Sequence, residues 1–293
     1  MIKTTIQWLS VLFELFAATG SGILAFVGIS EFVGSGGLGF DGLRSKAHLG
    51  ATVVALALVV FGGLLYVARL GNPTQVMAIT RNVSSGSPAS WEFLIYLLVL
   101  VCAVICLLVL RREGRLGGVL SALCILLALA MGCSTGYYHM AMIGTPAWHS
   151  PAIPLGFTAG ALLVSGFIYL AVAGCGLEKG LEKDAKKSSE EDSKASTSKI
   201  MVWILAVLAI ATTAAALFFG ASASFGQDAL LYWIAAPAVG GVSFAVAIVM
   251  LKCARGVSRR WAFIGASFSL IGALAFRASL WLVDSTIPTL FRG

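Results

Sequence analysis

The chain has 293 residues, of which 59% are hydrophobic and 11% are charged. Soluble domains carry about 25% charged residues, so this composition excludes a soluble globular protein. The formal net charge of +7 does not indicate a nucleic-acid binder, because the basic residues lie in short segments between long apolar runs, as topology signals do in membrane proteins.

Eight apolar runs follow one another along the chain, and each is long enough to cross a bilayer, which takes roughly 20 helical residues. We predict an all-α integral membrane protein, an eight-helix bundle that forms one domain over residues 1–293 within the lipid bilayer. The first run lacks a clean cleavage site and is predicted to be a retained helix. The predicted spans are Ile6–Ser30, Ala47–Ala68, Phe93–Leu110, Leu116–Thr135, Ala152–Ala173, Ile200–Phe219, Ala229–Leu251 and Trp261–Val283.

Basic residues are distributed unequally between the two sides of this bundle. The side of the N-terminus carries only Lys3, Arg69, Arg81 and Arg292, and the opposite side carries nearly all the others. Lys and Arg accumulate on the cytoplasmic side of membrane proteins. Both termini are therefore predicted to lie on the periplasmic, outer side of the cytoplasmic (inner) membrane.

Residues 176–198 are rich in Lys, Glu, Asp and Ser and contain almost nothing apolar. Such a segment cannot bury a core. It is predicted to be a disordered, charged cytoplasmic loop between the fifth and sixth spans.

Two outer loops combine aromatic, amide and ionisable residues. They are the segments Arg69–Glu92 and Gly136–Pro154. This mixture at the membrane boundary suits an amphipathic, lipid-soluble ligand whose head group exchanges protons. The alternative is an interfacial aromatic belt, in which Trp91 and Trp148 are membrane anchors.

Two ionisable residues fall inside the predicted spans. Glu14 lies about 12 Å below the outer end of the first helix at the usual helical rise, and Arg277 lies at a similar depth in the last helix. Unpartnered charges are costly within a bilayer and usually face the protein interior. We expect Glu14 and Arg277 to pair, or to share a polar cluster with Arg69 and Glu92.

Haem between helices needs axial ligands at matching depth, usually histidines. The histidines are His48, at the cytoplasmic end of the second span, and His139 and His149, both placed in one outer loop. No pair suits a haem between two helices, so no haem is expected.

The six cysteines mostly lie within apolar runs and form no Cys-x-x-Cys pair. We expect them to be small buried apolar residues, with no iron–sulfur cluster and no metal. They are Cys102, Cys106, Cys124, Cys133, Cys175 and Cys253.

Three segments of the chain resemble the motifs of one family. Leu70–Pro73 reads Leu-Gly-Asn-Pro, Ser90–Glu92 reads Ser-Trp-Glu, and Gly144–Ser150 is followed by Pro-Leu-Gly-Phe at Pro154–Phe157. They resemble, in this order, motifs of the membrane-anchor subunit of bacterial dimethyl sulfoxide reductases: His-Leu-Gly-x-Pro, Ser-x-Glu, and Thr-x-Pro-x-Trp-x-Ser with Pro-x-Gly-Phe. Eight spans with both termini outside agree with that family.

The resemblance implies a role in anaerobic respiration. Such anchors oxidise menaquinol to menaquinone near the outer face and pass the electrons to a four-cluster iron–sulfur subunit, which serves a molybdopterin catalytic subunit. The anchor itself does not act on the terminal acceptor. The residues that the resemblance and the loop composition assign to the quinol site are Glu92, Arg69, Asn72, His149, Trp91, Trp148 and His139.

One departure from the family lies at Arg69, where the family has a histidine. Arginine stays protonated and cannot accept a proton. The acceptor is then Glu92, with His139, His149 or Glu14 as alternatives.

Three other functions remain open: an anchor of a related polysulfide or tetrathionate reductase, a purely structural anchor, and a secondary transporter.

Overall fold

The computed structural model describes residues 7–34, 41–70, 79, 86–141, 149–181, 188–222, 227–252 and 259–282. Within these ranges the chain forms helices joined by short turns, with no strand. The helices are α1 Trp8–Gly34, α2 Asp41–Leu70, α3 Pro88–Glu113, α4 Gly118–Met140, α5 Ala152–Leu181, α6 Ser188–Ser222, α7 Gln227–Lys252 and α8 Arg259–Leu282.

Each of these helices contains a segment long and apolar enough to cross a membrane. The prediction of an all-α, eight-helix membrane protein is therefore confirmed. Large apolar side chains also cover the outside of the bundle, where lipid tails replace water as the solvent. Among the most exposed are Val119, Leu64, Leu126 and Val207. Which end of the bundle faces the cytoplasm stays a prediction.

The helices form two groups of four. In the first group α1 packs against α2, α2 against α3, α3 against α4 and α4 against α1; the contacts α5–α6, α6–α7, α7–α8 and α8–α5 close the second group in the same way. The groups meet where α5 lies against α1, α2 and α4. Helices α1 and α5 are consequently the most buried helices of the described chain.

Small residues allow the helices to approach closely, as is common in membrane bundles. A Cβ atom added to Gly20 of α1 would lie 2.8 Å from the carbonyl oxygen of Ala55 in α2. One added to Gly136 of α4 would lie 2.3 Å from Cα of Pro154 in α5. The second contact holds the end of α4 directly against the start of α5.

Helices α3 and α4 are among those that extend beyond their predicted spans. Helix α3 begins at Pro88 instead of Phe93, and α4 continues to Met140 instead of ending at Thr135. Proline favours the first helical turn, since its missing N–H would have no intrahelical acceptor there. Both extensions carry predicted loop residues onto helices at one end of the bundle.

The charged segment 176–198 also differs from its prediction. Helix α5 continues to Leu181, and α6 begins at Ser188. Most of the segment is therefore helical where a loop was predicted, and residues 182–187 lie outside the described residues. Intrinsic helix propensity explains why this segment is helical, because Ala, Lys and Glu all favour a helix even without an apolar face.

Candidate functional site

We call the end of the bundle that contains Glu14 the Glu14 end. Side chains from α1, α2, α3, α4 and α8 form a polar group here that we call the Glu14 cluster. Its members are Glu14, Arg69, Glu92, His139 and Arg277.

Glu14 and His139 are in direct contact inside this cluster. Nε2 of His139 lies 2.9 Å from Oε1 of Glu14, and both side chains are completely buried. The other carboxylate oxygen of Glu14 has no hydrogen-bond partner among the described residues. A buried carboxylate needs a compensating partner, and His139 provides one hydrogen bond while Oε2 remains available to a further donor.

His139 was predicted to lie in an outer loop, and that prediction is wrong. It lies in the last turn of α4, which ends at Met140. Its ring centroid is 5.4 Å from that of Phe157 in α5 and 5.6 Å from that of Trp281 in α8. The close approach at Gly136, one turn earlier, brings α4 near enough to α5 for these ring contacts.

Glu92 lies in the first turns of α3, after Pro88. It is 1% exposed, and neither of its carboxylate oxygens has a hydrogen-bond partner within the described part of the chain. The charges of Glu14 and Arg69 both act on it. Glu92 is thus a buried carboxylate with its hydrogen-bonding capacity unused, and it interacts electrostatically with a second carboxylate and a cation.

Arg69 occupies the last turn of α2 and is partly buried. Its Nη2 atom donates a hydrogen bond of 2.9 Å to the hydroxyl oxygen of Tyr138, and its guanidinium carbon lies 5.5 Å from the centre of that ring. The charge of Arg69 interacts with both Glu14 and Glu92. Tyr138 therefore orients the guanidinium, whose charge interacts with both carboxylates.

Arg277 is completely buried in α8. It donates hydrogen bonds to the carbonyl oxygens of Ala273, at 3.3 Å, and Phe157, at 3.2 Å, and its guanidinium carbon lies 4.4 Å from the centre of the Phe157 ring. Backbone carbonyls and an aromatic face thus solvate this cation in place of water.

Glu14 and Arg277 do not form the direct ion pair offered as one expectation. The described residues place the Glu14 carboxylate against His139, and no nitrogen of Arg277 is within 4.0 Å of it. The charge of Glu14 still acts on Arg277. The two residues share a cluster with Arg69 and Glu92, which was the other arrangement considered.

Other predicted site residues lie at the edge of this region or outside the described residues. Trp91 is 48% exposed, so its side chain points away from the buried Glu92. His149 is exposed just before α5. Asn72 and Trp148 lie outside the described residues.

No model of a known protein family matches this chain, and no curated protein sequence matches it.

A second histidine–glutamate contact lies at the opposite end of the bundle. Nδ1 of His48 is 3.1 Å from Oε1 of Glu31, and its Nε2 is 2.7 Å from Oγ of Ser30 and 3.2 Å from the hydroxyl of Tyr169. The sequence placed His48 at this end but did not predict any of these three partners. The prediction that the chain binds no haem stays a prediction.

Three cysteines form a further cluster that sequence reasoning missed. Sγ atoms of Cys102, Cys106 and Cys124 lie within 4.8 Å of one another, and all three residues are buried. The spacing of Cys102 and Cys106 was a usable signal, since residues four apart lie on one helix face. Cys124 comes from α4, and nothing in its sequence spacing joins it to the pair.

The Glu14 cluster contains groups that can bind and release protons. It holds two carboxylates and two guanidinium groups, so the formal charges cancel when both glutamates are ionised and His139 is neutral. A balanced cluster costs less in an apolar environment than separate ions. Glu92 and the Glu14–His139 pair are the groups in it that can accept protons, because arginine cannot.

Proposed function

We propose that the chain is the menaquinol-oxidising membrane anchor of a respiratory complex of the dimethyl sulfoxide reductase type, located in the cytoplasmic membrane. The observation that supports it most is the buried Glu92 carboxylate, which has no hydrogen-bond partner among the described residues and interacts electrostatically with Arg69 and Glu14. Glu92 also belongs to one of the segments that resemble that family.

The chemistry requires two proton acceptors and an exit for electrons. Oxidation of a quinol breaks two O–H bonds and yields a quinone, two protons and two electrons. Glu92 accepts one proton, and the Glu14–His139 pair accepts the other. The electrons leave to an iron–sulfur cluster of a partner subunit, which in turn supplies a molybdopterin subunit. The protons then pass to the outer side.

Arg69 and Arg277 have a different part in this proposal. Their positive charges offset the negative charges of the ionised glutamates. Arg69 is also oriented by Tyr138 and can donate a hydrogen bond to a quinol oxygen. The histidine that the family has at this position is therefore replaced by two neighbouring acceptors, Glu92 and His139.

The test compares Glu92→Gln with Glu113→Gln. Both changes remove one carboxylate from α3, but Glu113 is exposed at the opposite end of the helix. The full chain is purified with the subunits that accompany it, and reduction of their iron–sulfur clusters is followed by electron paramagnetic resonance. Menaquinol should reduce the clusters about 10²-fold or more slowly in the Glu92→Gln variant, and at the normal rate in Glu113→Gln.

Dithionite serves as the control donor, because it reduces the clusters without the quinol site. Normal reduction of Glu92→Gln by dithionite would show that the complex is intact. Equal menaquinol rates in Glu92→Gln and the unmodified chain would refute the role of Glu92. A purified chain without any iron–sulfur partner, or one that fails to quench a fluorescent menaquinol analogue, would refute the anchor proposal.

A second candidate is a proton-coupled secondary transporter. It is favoured by histidine–glutamate contacts towards both ends of α1, a buried one at Glu14 and a partly buried one at Glu31. These glutamates are about 25 Å apart at the usual helical rise. Proteoliposomes that contain only this chain separate the two functions: substrate-dependent proton uptake, lost in Glu31→Gln, would support the transporter, and its absence would reject it.

A further inference from the structure

Three thiol groups converge midway along α3. Sγ of Cys102 lies 4.0 Å from Sγ of Cys106 and 3.7 Å from Sγ of Cys124, and the last two sulfurs are 3.3 Å apart. Cys102 and Cys106 are successive on one face of α3, and Cys124 projects from α4. The three sulfurs thus form a compact triangle between two helices.

The size of this triangle fits a single metal ion. For a triangle with these three sulfur–sulfur distances, each sulfur lies about 2.1 Å from the point equidistant from all three. This distance is close to the ~2.3 Å of a zinc–sulfur bond. An ion slightly above the plane therefore reaches all three sulfurs without movement of the helices. An iron–sulfur cluster fits less well, because its cysteines bind different iron atoms and must stand further apart.

The surroundings decide which kind of ion is favoured. The cysteines are at most 3% exposed and belong to a buried apolar cluster with Val27, Leu110 and Leu116. Within the described residues no histidine, carboxylate or fourth cysteine joins them. Zinc takes four ligands in structural sites, whereas copper(I) is satisfied by three soft sulfur ligands and is selected by thiolates.

We propose that Cys102, Cys106 and Cys124 bind one copper(I) ion. Cysteine binds metal ions as the thiolate, so copper(I) displaces the protons of the three thiols and releases them to solvent. The copper stays in its +1 state. No electron is transferred in this step.

The experiment uses two full-length triple variants. The first, Cys133→Ser with Cys175→Ser and Cys253→Ser, keeps only the proposed ligands. The second replaces Cys102, Cys106 and Cys124 by serine and keeps only the other cysteines. Each is purified in detergent, loaded anaerobically with copper(I) against a competing chelator, and analysed for copper per chain and for sulfur neighbours by X-ray absorption.

The first variant should retain about one copper per chain with three sulfur neighbours. The second should retain at least tenfold less copper per chain than the first. Equal copper in both variants, or no copper in the first, would overturn the proposal. A disulfide between Cys106 and Cys124 in the unmodified chain, detected by mass spectrometry, would also overturn it. Monodisperse elution of the second variant shows that the loss of copper does not result from misfolding.

Discussion

Nε2 of His139 and Oε1 of Glu14 lie 2.9 Å apart, although the two residues are 125 positions apart in the sequence. The contact joins the start of α1 to the end of α4 in a completely buried position. Around it stand two guanidinium groups and a second buried carboxylate. This contact therefore connects the packing of the bundle with the proton chemistry proposed for its Glu14 end.

The first prediction concerns the stability that this contact contributes. His139→Leu removes the hydrogen-bond partner and leaves a buried carboxylate, which should cost about 3–5 kcal/mol. The double variant Glu14→Gln with His139→Leu should recover part of that loss, since no buried charge remains. Thermal unfolding of the four proteins of this double-mutant cycle measures the coupling. Additive losses would show that the two side chains do not interact.

The second prediction separates the charge of Arg69 from its hydrogen bond. Arg69→Gln removes a cation beside two carboxylates and should weaken binding of a menaquinol analogue by about 10-fold or more, which is about 1.4 kcal/mol. Tyr138→Phe removes only the hydroxyl that orients the guanidinium and should weaken binding less. Fluorescence-quench titration measures both. Unchanged affinity in Arg69→Gln would exclude Arg69 from the site.

The third prediction concerns the close approach of α4 and α5. In Gly136→Val the added Cβ would lie 2.3 Å from Cα of Pro154, so the helices must separate, at a cost of about 1–3 kcal/mol. The shift also moves His139 and should weaken binding of the menaquinol analogue. Gly241→Ala is the control, because an added Cβ there has nothing within 4 Å. Equal melting temperatures for the two variants would contradict this account.

The fourth prediction concerns orientation. The unequal distribution of Lys and Arg predicts that both termini face outward. Alkaline phosphatase fused after Gly293 should therefore be active, since it folds only outside the cytoplasm, and a fluorescent protein fused there should be dark. The opposite pattern would place the Glu14 end on the cytoplasmic side, and the quinol protons would then be released inward.

The number and order of the membrane helices followed from the sequence alone. A helix that crosses a bilayer must satisfy its backbone internally and present an apolar surface along its length, so each span is a long apolar run that can be recognised locally. The depth of Glu14 and Arg277 within their spans followed from the same regularity. Helix ends were harder, because local polarity at Tyr138 and His139 suggested a loop although packing against α5 extends the helix.

The partners of the buried polar residues were decided only by the tertiary structure. The depth of a residue within the membrane does not define on which side of its helix the residue lies, or which neighbouring helix its side chain meets. Glu14 was therefore expected to pair with Arg277, at similar depth, or to share a cluster with it, Arg69 and Glu92, whereas its direct contact is His139. The same holds for Cys124, which meets Cys102 and Cys106 only because α4 packs against α3. The sequence determines the chemistry of each side chain. Packing across the whole bundle determines how each helix is rotated about its axis and which helices are its neighbours.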